Sequence, residues 1–155
     1  MPFGEGALRA IIMTDVLHHI PQPRMFFAEA VRCLQPGAKV IMIEPWMTRW
    51  SRWVYTHLHY EPCLPDSPEW EFAGSGPLSS ANDALPWIIF ERDRRQFCDE
   101  FPQLEIEWAQ PMMPFRYILS GGVSMRSLMP GWNFGLWRGM ENGLNPWMSS
   151  LVCLP

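Results

Sequence analysis

The N-terminal third of the chain carries a strand–helix–strand pattern, and this pattern limits the possible folds more than any other feature. Residues 7–13 and 38–43 are short, nearly continuous apolar runs, typical of strands that are buried on both faces. Between them, apolar residues recur at helical spacing from Pro23 to Leu34, and the helix is predicted to end at Pro36 because proline cannot continue it. Two such strands joined by a helix indicate a βαβ unit with a parallel sheet and a right-handed crossover.

The patterns in the rest of the chain are weaker. Residues 47–60 have the apolar spacing of an amphipathic helix. Many prolines and glycines follow, so residues 46–90 are interpreted as a variable insertion rich in aromatic residues and proline. A helix is predicted over residues 91–101, and the alternation of apolar and acidic residues over 104–108 predicts a half-buried strand. Residues 115–119 indicate either a short strand or the start of a helix.

Composition excludes several classes of function. With 155 residues and 48% hydrophobic residues, the chain is long and apolar enough for one domain with a substantial core. Its net charge of -4 gives no basic surface for nucleic acid, so we expect no nucleic-acid partner. No apolar run approaches the length of about 20 residues that spans a bilayer, so we do not expect a membrane partner. The four cysteines show no metal-site or disulfide spacing, and no signal-peptide pattern is present, which favours a reducing, cytoplasmic setting.

Three linked motifs in the first 46 residues resemble class I S-adenosylmethionine-dependent methyltransferases. They are Met1-Pro2-Phe3, the run IIMTDVLHHIPQP over residues 11–23, and the run VRCLQPGAKVIMIEP over residues 31–45. In that family they cover the fourth strand, the following helix and the fifth strand. The resemblance implies an α/β fold with a partial Rossmann-like sheet and helices. It also implies S-adenosylmethionine as the cofactor and methyl transfer to a small acceptor, for which the nine tryptophans favour an apolar character.

The resemblance also has gaps. In the family, a glycine-rich cofactor loop, the first strand and the acidic residue that holds the cofactor ribose precede these motifs, and this sequence has no counterpart to them. The chain is therefore expected to be a single incomplete methyltransferase domain over residues 1–155. It would correspond to the C-terminal half of the family's fold and would lack the N-terminal strands. Cofactor binding by this chain alone is expected to be weak or absent.

Candidate cofactor-binding residues follow the first predicted strand. Ligands of open parallel sheets bind at the carboxyl ends of the strands. By resemblance, Thr14, Asp15 and Leu17 would lie beside the methionine part of the cofactor. The alternative for Asp15 is a purely structural role as a cap of the turn that follows the strand.

Candidate acceptor-binding residues lie at the same end of the two strands. His18 is the candidate catalytic base, because imidazole titrates near neutral pH. His19 and Glu44 are candidates for contact with the methyl acceptor. The alternatives are that one histidine packs in the core and the other lies at the surface, and that Glu44 pairs with a nearby backbone amide.

Two other functions are compatible with the sequence. The chain could be a non-catalytic methyltransferase half that acts as an interaction module, with a second copy or a partner chain completing the sheet at its exposed edge. It could also be a metal-binding or other small-molecule-binding protein that uses His57, His59 and Cys63. We expect no metal there, because the spacing matches no zinc pattern and a fourth ligand is missing.

Overall fold

The computed structural model describes residues 1–59, 61–74, 80–112, 115–121, 126–127 and 129–152, with the backbone alone for residues 145–152. The chain divides into two compact units. Unit 1 contains residues 1–47 and 61–107, and unit 2 contains residues 48–60 and 108–155. Residue 60, the last of the predicted 47–60 helix, lies outside the described residues.

The predicted strand–helix–strand pattern is confirmed in unit 1. Strand β1 spans Leu8–Thr14, helix α1 spans Pro23–Cys33 and strand β2 spans Leu34–Ile43. The strands pair in parallel, with Ile11 opposite Val40. The fold is therefore a mixed α/β fold with a parallel sheet, which in the described residues has two strands.

The predicted turn after α1 is part of β2 and disturbs its pairing. Along the ladder, β2 advances from Leu34 to Lys39 while β1 advances only from Leu8 to Ala10. Within this irregular stretch Gly37 has a φ of 79°, a left-handed conformation that glycine adopts without a side-chain clash. Regular pairing continues from Lys39 to the end of the strand.

The expectation that both faces of the sheet are buried is wrong. Met13 is buried and Ile11 is half-buried on one face. On the other face Ile12 is 73% exposed, Ile41 is 51% exposed and Ile43 is 44% exposed. A continuous apolar run does not reveal how many faces are covered, and among the described residues only one face of the ladder has a cover. The exposed isoleucines form an apolar surface, called here the open sheet face.

The second helical region of unit 1 begins earlier than the sequence predicts. The predicted 91–101 helix corresponds to a short helix α3 at Leu85–Trp87, a π-helical turn at Ile88–Arg92 and helix α4 at Arg94–Glu100. The strand predicted at 104–108 is wrong, because these residues have no regular secondary structure. Their alternation reflects alternating burial alone, and a strand also requires a partner for its backbone hydrogen bonds.

Aromatic side chains form the centre of unit 1. Phe27 on α1 contacts Phe90, Phe97 and Phe101, with ring centroids 5.1 to 5.9 Å apart in tilted or edge-to-face arrangements. Such contacts add to the area that large rings bury. This cluster ties α1 to α4.

The regular elements among the described residues of unit 2 are all helices. Helix α2 spans Arg49–His57 and starts with a capping box between Thr48 and Ser51. Helix α5 spans Arg116–Leu119, which resolves the open prediction for 115–119 in favour of a helix, and helix α6 spans Phe134–Val152. No helix in the described part of the chain combines the length and the apolar character that crossing a bilayer would need.

Candidate active site

A tight reversal of the backbone at the end of β1 creates the candidate site. Asp15 follows the strand with a φ of 53°, which is uncommon for a residue other than glycine and concentrates at functional sites. The next two backbone amides, of Val16 and Leu17, both donate to Oε1 of Glu44 at 2.9 Å. Because Glu44 directly follows β2, its carboxylate joins the carboxyl ends of the two parallel strands.

The second oxygen of Glu44 holds the imidazole of His18. Oε2 lies 2.8 Å from Nδ1 of His18, and both side chains are 4% exposed. Burial alone would lower the pKa of His18, but the hydrogen bond and the negative charge of Glu44 outweigh it and raise the pKa. Burial would raise the pKa of Glu44, but the hydrogen bonds from His18 and from the two amides lower it. Both shifts favour the charged forms of this pair.

Two carboxyl groups face the other ring nitrogen of His18. Nε2 lies 3.9 Å from Oε2 of Glu61 and 3.8 Å from Oδ1 of Asp83. Asp83 is 1% exposed, and its burial raises the pKa to about 7, with the nearby charge of Glu61 acting in the same direction and His18 against it. A buried carboxyl with a pKa near neutrality can hold or release a proton under ordinary conditions.

Asn82 fixes the segment that carries Asp83. Its backbone amide donates to the His18 carbonyl at 2.9 Å, and its side-chain Oδ1 accepts from the amides of Leu64 and Ala84. The amide of Asp83 itself donates to the Pro62 carbonyl at 3.0 Å. These bonds bring the 61–64 segment and the 80–84 segment to the histidine turn.

The remaining predicted site residues surround this centre. Thr14 and Asp15 are exposed at the end of β1. Leu17 is fully buried, so its side chain belongs to the core while its amide contacts Glu44. The ring of His19 stacks at a tilt on that of His18, with centroids 4.2 Å apart. The structure thus brings Asp15, both histidines and Glu44 together, and both roles considered for Glu44, amide pairing and a place at the site, are compatible with its position.

The three residues considered as metal ligands have different neighbours, and the ring of His59 lies edge-on to that of Tyr55, with centroids 5.5 Å apart. Nδ1 of His57 lies 2.8 Å from the Trp53 carbonyl one helical turn earlier. Sγ of Cys63 lies 3.4 Å from Sδ of Met47. The expectation of no metal at these residues stays a prediction.

Glu61, Asn82 and Asp83 are site residues that the sequence did not reveal. They lie in the proline-rich 46–90 segment. Its composition indicates a loop but does not show which residues contact one another. A buried acid has no periodic signature, and only the tertiary contacts of Asn82 show that this segment reaches His18.

Comparison with known proteins finds a family similarity in the N-terminal part of the chain. Residues 1–42 match the family model described as the methyltransferase domain. No curated protein and no solved structure gives a significant match. The matched segment contains β1, the turn with His18 and His19, helix α1 and most of β2. The match supports, over residues 1–42 alone, the resemblance to a class I methyltransferase domain that the sequence motifs predict.

Proposed function

We propose that this chain functions in S-adenosylmethionine-dependent methyl transfer to a small acceptor, with His18 as the group that takes the acceptor's proton. One observation carries the proposal: the buried His18–Glu44 pair joins the carboxyl ends of two parallel strands, and residues 1–42, which include β1 and most of β2, match a methyltransferase domain. Ligands of open parallel sheets bind at this end of the strands. In this proposal β1 and β2 correspond to the fourth and fifth strands of a Rossmann-like sheet.

The residues at the end of β1 suit the methionine part of the cofactor. This part carries an ammonium group, and Asp15 offers an exposed carboxylate beside the exposed hydroxyl of Thr14. An exposed carboxylate can accept charge-assisted hydrogen bonds from an ammonium group. When bound, S-adenosylmethionine supplies a methyl group on a positively charged sulfur. Leu17 would contribute only through the packing that holds the turn, because its side chain is fully buried.

The histidine pair would act on the acceptor. Glu44 fixes the ring of His18 through Nδ1, so that in the neutral form of the ring Nε2 would accept a proton from a hydroxyl or amine of the acceptor. Loss of that proton would leave the acceptor's lone pair available for the methyl group, and the bonding electron pair would stay with the cofactor's sulfur. Orientation of the acceptor in line with the methyl group supplies several kcal/mol of the barrier reduction. An apolar body for the acceptor stays a prediction from the tryptophan content.

Calorimetric titration with S-adenosylhomocysteine tests the cofactor half of the proposal. The purified chain is first shown to be folded by its near-ultraviolet circular dichroism. Saturable micromolar binding, about -8 kcal/mol, would support the proposal against the sequence-based expectation of weak or absent binding. Asp15→Asn is then expected to bind at least about 10-fold more weakly, since one charged contact is worth about 1.5–3 kcal/mol. Asp99→Asn, the same change at an exposed position on α4, is the matched control. A folded chain that shows no binding would overturn the proposal for this chain.

The open sheet face favours a second candidate function, the binding of a second copy of this chain. Ile12 and Ile41 lie opposite each other on the ladder, and both side chains belong to the open sheet face. An identical copy offers the same surface, so a two-fold dimer would bury both. Sedimentation velocity over a range of concentrations tests this candidate. We expect a dimer that Ile41→Lys converts to a monomer, with Leu64→Lys, at an exposed site outside the β ladder, as the control. A monomer at every concentration contradicts this candidate.

A further inference from the structure

Several ligand atoms converge on one side of the histidine turn. One ring nitrogen of His18, one of His19 and one carboxylate oxygen of Glu61 all lie within 4.8 Å of one another. Glu44 occupies Nδ1 of His18, so Nε2 is the atom directed at this group. Nε2 is 3.9 Å from Glu61 and 3.8 Å from Asp83, which is too long for a hydrogen bond.

We propose that this cluster binds one divalent transition-metal cation, with Zn²⁺ as the best fit, through His18, His19 and Glu61. Asp83 is placed to supply a fourth ligand atom, since its Oδ1 lies 3.8 Å from the same Nε2. Two imidazole nitrogens and one or two carboxylate oxygens form a ligand set that zinc accepts, whereas magnesium prefers oxygen ligands and several waters.

The spacing of the ligand atoms requires only a small contraction. Zinc bonds to nitrogen and oxygen of about 2.0–2.2 Å place two ligand atoms of a tetrahedral ion about 3.4 Å apart. The distances from Nε2 to the two carboxylates are slightly longer than this spacing, and a small side-chain rotation would remove the difference. Glu61 retains 14% of its side-chain exposure, which leaves an approach from solvent.

The contact between His18 and Glu44 is typical of histidine ligands in metal sites. A histidine ligand almost always donates its second ring N–H to a carboxylate or carbonyl, which fixes the ring and makes the ligating nitrogen more basic. Glu44 provides this contact at 2.8 Å, and its own position is fixed by the amides of Val16 and Leu17. The carboxylates of Glu44 and Glu61, together with Asp83 in its ionised form, give the cluster the negative charge that a cation requires.

This inference goes beyond the proposed methyl transfer. A cation on Nε2 would occupy the atom that takes the acceptor's proton, so the metal-bound chain would be an inhibited form. Metal binding and cofactor binding are measured separately, because the first is followed without S-adenosylmethionine or its product. Failure of one experiment therefore leaves the other proposal standing.

Calorimetric titration of the chelator-treated full chain with ZnCl₂ tests the site, with MgCl₂ as the parallel titration. We expect one Zn²⁺ per chain. We expect His19→Gln and Glu61→Gln each to weaken binding at least about 10-fold, and Glu44→Gln to weaken it about 10- to 100-fold, as changes behind a metal ligand do. His57→Gln removes an exposed histidine on α2 and is expected to leave the affinity unchanged. Near-ultraviolet circular dichroism confirms that each variant is folded.

Titration with Co²⁺ identifies the ligands. Nitrogen and oxygen ligands are expected to give visible bands without the near-ultraviolet charge-transfer band that a cysteine thiolate adds. A thiolate band would place the ion at a cysteine and overturn the proposal. Absence of saturable Zn²⁺ binding, or equal affinity in His19→Gln, Glu61→Gln and the unaltered chain, would overturn it as well.

Discussion

Nδ1 of His18 lies 2.8 Å from Oε2 of Glu44, and this bond joins two buried residues that are 26 positions apart. The other oxygen of Glu44 accepts from the amides of Val16 and Leu17. One carboxylate therefore sets both the path of the turn after β1 and the orientation of the imidazole. The same contact supports proton transfer and metal binding, because each requires an oriented Nε2.

Glu44→Gln is expected to lower the free energy of unfolding by about 1.5–3 kcal/mol, since hydrogen bonds to a charged group are worth about that much. The amide oxygen of glutamine can still accept from the turn, but the charge that holds His18 is lost. Urea unfolding measures the change, with Glu105→Gln at an exposed position as the control. If the methyl transfer proposal holds, the transfer rate of Glu44→Gln falls at least about 10-fold. Its affinity for S-adenosylhomocysteine is unchanged, because Glu44 is not among the proposed cofactor contacts. A variant as stable as the control would contradict the structural role.

The elements of the βαβ unit could be predicted because their signals are local. Pro23 begins α1 where the sequence places it, and the apolar runs of β1 and β2 specify strands through residues that are neighbours in the chain. The sequence does not show which face of the sheet is covered. Ile12 and Met13 are both apolar, yet one is 73% exposed and the other is 7% exposed, and no feature of the run distinguishes them.

The candidate site was predictable in part for the same reason. Asp15, His18 and Glu44 could be found because each follows a predicted strand end, where the ligands of parallel sheets bind. Asp83 could not be found, because its place depends on the contacts of Asn82 with His18 and Leu64. No periodic pattern relates these positions of the chain. Irregular segments are positioned by such individual hydrogen bonds.

Asn82→Ala is expected to destabilise unit 1 by at least about 2 kcal/mol. The side chain is 4% exposed and makes two hydrogen bonds with Leu64 and one with the amide of Ala84. Its removal leaves buried backbone groups without partners, at a cost of about 1–3 kcal/mol each. Thermal unfolding measures the loss, which corresponds to a fall in Tm of about 4–8 °C. Asn142→Ala, at an exposed position of α6, should leave the Tm unchanged or slightly raised, and equal effects of the two changes would contradict the anchoring role.

Asp93 makes the stability of unit 1 sensitive to acid. Its Oδ2 accepts from Nε1 of the buried Trp70 at 2.9 Å, and the bonds from Arg92 and then Trp70 lower its pKa against the opposing effect of burial. Because the folded pKa is below the unfolded value of 3.8, its stabilisation is present above that value and is lost as the pH falls through the folded pKa.

The difference in unfolding free energy between the unaltered chain and Asp93→Asn is therefore expected to be constant above about pH 5 and to shrink below it. Urea unfolding at a series of pH values, followed by tryptophan fluorescence, measures this difference. Asp99→Asn on the exposed face of α4 provides the comparison. A difference that grows as the pH falls would show that Asp93 acts in another way.

Glu141 is the corresponding buried carboxylate of unit 2, and its loss should affect that unit alone. It is 3% exposed, accepts from the amides of Phe115 and Arg116 at the start of α5, and forms an ion pair with the Arg116 side chain. Glu141→Gln keeps an acceptor but removes the charge, so a loss of about 1–3 kcal/mol is expected. Amide hydrogen exchange of α5 and α6 should then be about 5- to 150-fold faster, while peptides from β1 and β2 exchange as before. The neighbouring change Asn142→Ala controls for the helix position, and faster exchange throughout both units would show that Glu141 stabilises more than its own unit.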